Sequence, residues 1–248
     1  MPTKEKKDTV YMLAPTQPDM LNDNGDVIIP SNKKLKPVKH ANNLPAPPKI
    51  NFTAPTSIHT RSEYIENNNI TGDMKNLIVA CDYDNPTVRN NSAALVALSP
   101  GEFNLGQVCD IFDFSYTNWS YVNDPVTRDY YAKASETLKN GLNGDCDDFA
   151  ILLCAMILSI GGEARISFAY DDTEGHAFTE VNIGTTNRHK VENYLTARYG
   201  NNEMWHREDA NGNWWLNLDW QGQCPGAKYF KFNRGICFNI IRNIYENL

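Results

Sequence analysis

The spacing of apolar residues changes along the chain, and each change marks an element. Over 103–116 the apolar stripe runs through Leu105, Val108, Ile111 and Phe112 and continues to Ser115, a helical period. Asn85-Pro86 opens another helix, with proline at a permitted first-turn position, and Pro100-Gly101 breaks the chain after about Leu98. Shorter helical patterns cover 62–70, 73–81 and 129–139, the last closed by Asn140-Gly141. From Asp145 or Cys146 to Gly161-Gly162 the pattern has almost no polar side, with Phe149, Ile151, Leu152, Leu153, Met156, Ile157, Leu158 and Ile160 in one run. A helix apolar on every side is buried all round. Beyond it the composition turns to strands, at 164–170, 176–183 and 214–220. A mixed stretch, 187–213, separates the last two and carries a helical pattern near 191–199. Helices followed by an antiparallel sheet make an α+β arrangement, with the apolar helix packed on the sheet.

Composition divides the chain in two. Nine of the 13 prolines lie in residues 1–60, where Tyr11 and Phe52 are the only aromatics, while all five tryptophans come from Trp119 onward. Residues 1–60 cannot bury enough apolar area to offset their ordering entropy, so they read as an extended proline-rich arm or linker. The run NLPAPPKINF has the character of a polyproline spacer. Residues 61–248 form the globular part.

Charge divides the same way. The net charge is −7, yet the first 50 residues hold eight lysines against five acids, so the body carries −10. An acidic body excludes nucleic acid as the main partner. The weakly basic arm suits docking into a larger protein assembly. The longest apolar run, near 149–160, is too short for a membrane span. MPTKEKKDTVYM has no apolar stretch behind it and is not a secretory signal, so a cytoplasmic product, or a part of an assembly made inside the cell, is expected. The six cysteines form no C-x-x-C and no zinc spacing, and reduced thiols are expected.

One of these thiols sits where chemistry is favoured. Cys146 follows Gly144-Asp145 and begins the apolar helix, where free N–H groups and the helix dipole stabilise an anion. Asp145, Asp147 and Asp148 oppose that effect, so a cationic partner is needed. His176 opens a strand 30 residues later, one helix and one strand further on. Asp219, in WWLNLDW, is an acid among strand-forming apolar residues and suits the task of orienting the imidazole. Cys146, His176 and Asp219 thus read as nucleophile, base and orienter. Asp209 is the rival orienter, in the loop-like EDANGN. Cys81, Cys109 and Cys154 read as core; the roles of Cys224 and Cys237 stay open.

Taken together, four segments resemble the transglutaminase-like superfamily: Gly144-Asp145-Cys146-Asp147-Asp148, the helix ending in Gly161-Gly162-Glu163-Ala164-Arg165, Gly175-His176-Ala177-Phe178-Thr179-Glu180-Val181, and Trp215-Leu216-Asn217-Leu218-Asp219. Trp119-Ser120-Tyr121-Val122-Asn123-Asp124-Pro125 and Ser135-Glu136-Thr137-Leu138 are similar to bacterial members. The resemblance covers about residues 100–220. It implies a papain-like Cys–His–Asp core and a cysteine-dependent hydrolase of peptide or amide bonds, working through a thioester on a protein or peptide substrate. It also leaves open acyl transfer to an amine, or a catalytically silent component of an assembly docked through the arm.

For the oxyanion, the Cys146 N–H is the natural first donor, and Trp119 and Gln107 are candidates for the second. No cofactor is required, but the resemblance also suggests calcium, because acids flanking the cysteine bind it in some bacterial members and Asp145 and Asp147 match those positions. The 43 residues from His176 to Asp219 exceed a single hairpin, so 187–213 reads as an insertion able to cover the site.

Overall fold

A computed structural model of the chain describes residues 44–52, 72–124, 130–200, 203–242 and 244–248. The expected helix at 62–70 and most of the arm lie outside the described residues. Three helices come first: α1 (Gly72–Ala80), α2 (Pro86–Val96) and α3 (Leu105–Asn118). A short strand β1 (Ser120–Tyr121), helix α4 (Ala134–Lys139) and strand β2 (Asn143–Gly144) lead to α5 (Cys146–Ser159). Then follow β3 (Ala164–Tyr170), β4 (Gly175–Gly184), α6 (Arg188–Tyr199), β5 (His206–Glu208), β6 (Trp214–Leu218), β7 (Arg234–Asn239) and β8 (Ile244–Asn247). The order is α+β, as the apolar pattern implies.

The helix starts follow from local chemistry. Asn85 accepts a hydrogen bond from the Thr87 N–H, with Pro86 opening α2. Asn104 and Gln107 form a reciprocal capping box that opens α3. The expected helix over 129–139 is realised only from Ala134. Upstream, the Ala132 N–H donates to the Asp148 carboxylate at 2.8 Å, which holds the backbone outside the helical ladder. At the start of α4, Ser135 is tied to Asp82 through its N–H and its hydroxyl.

Helix α5 is the centre of the molecule. Its residues from Asp148 to Leu158 are buried. Each large apolar side chain there contributes about 1.5–3 kcal/mol by leaving water. One side of α5 meets α2, α3 and α4, and the other lies on β3 and β4. The sheet has six strands in the order β5-β6-β4-β3-β7-β8, each pair antiparallel. Ala177, Val181 and Ile183 of β4 face α5 with Ile166, Leu216 and Leu218, and the Thr179 hydroxyl donates to the Ala150 carbonyl at 2.6 Å.

Residues 44–52 run extended along the body instead of away from it. The Ile50 N–H bonds the Phe103 carbonyl, and the Leu105 N–H bonds that of Pro48. Asn51 then passes so close to Gly184 that a Cβ there would overlap the Asn51 carbonyl; Gly184 also has φ +58°.

Candidate active site

The site is built where α5 begins. Gly144 has φ +153° and lies against the Asp148 side chain, which leaves no room for a Cβ. Asp145 caps the helix by accepting the Asp147 N–H. Cys146 is therefore the first helical residue, and it is half-buried. The Ala177 backbone N–H hydrogen-bonds its sulfur, which brings the thiol to the residue after His176. Burial pushes the thiol up to about 12, and the charges of Asp145 and Asp147 push in the same direction. The Ala177 N–H and the Cys146 N–H act the other way, and the helix dipole acts with them.

His176 starts the buried part of β4 and is 6% exposed. Its Nε2 lies 2.9 Å from both oxygens of Asp219. Asp219 follows β6 and also accepts the Gln221 N–H, which fixes its carboxylate at the start of a 3-10 turn. Asp219 thus engages Nε2 and not Nδ1 of the ring. Phe230 packs on the imidazole with centroids 5.2 Å apart, and Phe178 at 6.1 Å. The rival acid, Asp209, is engaged elsewhere: it accepts from Asn211 and Asn213 in the turn between β5 and β6 and from the Trp215 indole of β6.

The two oxyanion candidates separate. Trp119 closes α3 beside the first turn of α5, edge-to-face on Phe149 at 5.0 Å. Its indole N–H is buried and meets no acceptor among the described residues. Gln107 sits at the opposite end of α3. Its amide donates to the Ser99 and Gly101 carbonyls and completes the capping box. That loop contains Phe103, which abuts Gly162 beyond the far end of α5. At 1.5 Å per residue this is about 21 Å from Cys146, so Gln107 is not brought to the site.

Asp145, Asp147 and Asp148 each place a carboxylate oxygen within 4.8 Å of the others. Burial, then Asp145, drives the Asp147 carboxyl up to about 9. Burial and the neighbouring acids raise Asp148 to about 6, against the Ala132 N–H. One Asp147 oxygen is buried without a hydrogen-bond partner among the described residues. Such a set of hard oxygens, strained by its own repulsion, fits a divalent cation of the calcium type.

Sequence reasoning missed three parts of the surroundings. Tyr121 lies beside Cys146 and stacks on Trp220 at 5.0 Å. The loop carrying Tyr229 and Phe230 covers His176 and Phe178. Glu180, fully buried, binds Arg165, Arg207, Ser167 and Tyr229 along the same strand as His176. Glu180 stood in a quoted motif, but nothing in its spacing distinguished a buried acid from a solvated one.

The profile of the transglutaminase-like superfamily matches residues 97–220, half of the chain. Two solved structures are similar to it. One is a candidate cysteine protease from Cytophaga hutchinsonii, 15% identical, with TM-score 0.38, covering 72% of this chain and 54% of that one. The other is calcium-bound LapG of Legionella pneumophila, 19% identical, with TM-score 0.39, covering 71% of this chain and 81% of that one. The chain thus spans about half the length of the first of these. Among curated proteins no sequence matches.

Proposed function

Since the chain belongs to the transglutaminase-like superfamily, we propose that it is a cysteine hydrolase of peptide or amide bonds, with Cys146 as nucleophile, His176 as acid and base, and Asp219 as orienter. The observation that carries this reading is the Nε2 of His176 held 2.9 Å from both Asp219 oxygens while the next residue's N–H meets the Cys146 sulfur.

Cys146 attacks as its proton passes to Nδ1 of His176, and the S–C bond forms as the carbonyl electron pair moves onto oxygen. Asp219 stabilises the imidazolium. The Cys146 N–H and the unpaired Trp119 indole are the donors for the oxyanion. The tetrahedral species then collapses, the C–N bond breaks, and His176 returns the proton to the departing amine. Water attacks the thioester, giving its proton to His176; the C–S bond then breaks, His176 returns the proton to the sulfur, and the acid leaves. An amine in place of water yields acyl transfer by the same steps.

Asp145 and Asp147 would hold a calcium ion. Its charge would offset the two carboxylates beside the sulfur. All the residues of the reaction belong to the chain itself.

A peptide-library digest tests the reading, with Cys146→Ala as blank. Cleavage by the wild type, absent in Cys146→Ala and in His176→Ala, is the expected result. Cleavage that survives Cys146→Ala would overturn it.

A further inference from the structure

Beside the sulfur runs β1, both of whose residues are exposed. The Ser120 N–H bonds the Leu142 carbonyl and the Val122 N–H bonds that of Gly144, each at 2.9 Å. Successive residues of a strand point their N–H and C=O to opposite sides. Those of Tyr121 therefore point away from β2, and among the described residues neither has a partner. Tyr121 is 45% exposed and Val122 55%.

This open edge spans both halves of the site. Tyr121 is in register with Gly144, two residues before Cys146. Its ring stacks at 5.0 Å on Trp220, the residue directly after Asp219. Asp124, three residues beyond Tyr121, sets a further carboxylate near its phenol.

Resting on the reading of Cys146 as nucleophile, we propose that β1 is the acyl-donor subsite, where an extended peptide pairs with Tyr121 and lays a lysine or arginine on the Tyr121–Trp220 rings. A strand edge offers a donor and an acceptor from one residue, which matches a peptide backbone. The ring pair and the Asp124 carboxylate together favour a cationic side chain over a neutral or acidic one.

The test uses tripeptidyl chloromethyl ketones on the full chain, with lysine or glutamate scanned through each position and each peptide nitrogen methylated in turn. Alkylation of Cys146 is read by mass spectrometry and divided by its rate with iodoacetamide. Methylation at one nitrogen is expected to lower the ratio about tenfold, the worth of one or two hydrogen bonds. Lysine probes should outpace glutamate probes at one position, and Tyr121→Ala should abolish that preference. Ratios indifferent to methylation at every nitrogen, or equal for lysine and glutamate throughout, would overturn the subsite while leaving Cys146 as nucleophile. If iodoacetamide itself does not single out Cys146, the nucleophile reading fails and the subsite falls with it.

Discussion

The two faces of the sheet are built on opposite principles although the same strands make both. Toward α5, β4 presents Ala177, Thr179, Val181 and Ile183, and the contacts are almost wholly apolar. Toward the other side it presents His176, Phe178, Glu180 and Asn182, beside Arg165 and Ser167 of β3 and Trp215 and Asn217 of β6. That face is just as buried. Glu180 and Glu163 are fully inaccessible: Arg165, Arg207 and the Tyr229 hydroxyl hold Glu180, and Arg242 holds Glu163. An apolar face tolerates small shifts. A face of buried charges holds only while each charge keeps its partners. The row of paired groups ends in His176 and Asp219, so the pair we propose as base and orienter occupies the part of the molecule where orientation is most strictly set.

The comparison breaks most visibly at Glu180. Glu180→Gln leaves Arg165 and Arg207 short of their counter-charge and should cost about 3–5 kcal/mol. Ile166→Val, on the apolar face, should cost about 0.5–1.5 kcal/mol. Urea unfolding of both variants gives the ratio; equal costs would show that the outer face is solvated.

Acid should act through the same group. Burial raises Glu180, but Arg165 and Arg207 outweigh it and hold the carboxyl below its ordinary 4.5. A depressed carboxyl contributes stability that is full above pH 4.5 and is lost as pH falls through the lower folded value. Unfolding midpoints should therefore drop on acidification below that point, and Glu180→Gln should flatten the fall. An equally steep fall in the variant would assign the acid lability to other groups.

The roof over the imidazole comes next. Phe230→Ala should cost about 1–2 kcal/mol in stability and slow the alkylation of Cys146 in the folded protein. A stability loss with an unchanged alkylation rate would reduce Phe230 to packing. Smallest is the exposed Arg188–Glu192 pair on α6, where Arg188→Ala should change stability by about 0.5 kcal/mol or less. A larger loss there would mean that surface charges matter as much as buried ones.

The faces also differ in how legible they were. Helix α5 stood out as one unbroken apolar run, and strands β3, β4 and β6 because one side of each is apolar and supplies a period. Strands β7 and β8 were missed because Arg234, Glu246 and Asn247 read as solvent-facing, and β7 pairs through Cys237 and Phe238 only once the chain folds back. Strands β1 and β2, two residues each, have no period to detect. The pairing of His176 with Asp219 rather than Asp209 was legible because an acid within an apolar strand needs a buried partner, whereas Asp209 satisfies itself in a turn. Gln107 misled because an amide near a helix start has the same sequence context whether it caps the helix or faces a substrate.

All six cysteines carry thiols, so one experiment compares them inside a single molecule. The folded chain is treated with substoichiometric iodoacetamide near neutral pH, and each cysteine is read by peptide mass spectrometry in wild type and His176→Ala. Selective labelling of Cys146 that disappears in the variant is the predicted result. Slow labelling spread over the accessible thiols, the same in both proteins, would contradict the account.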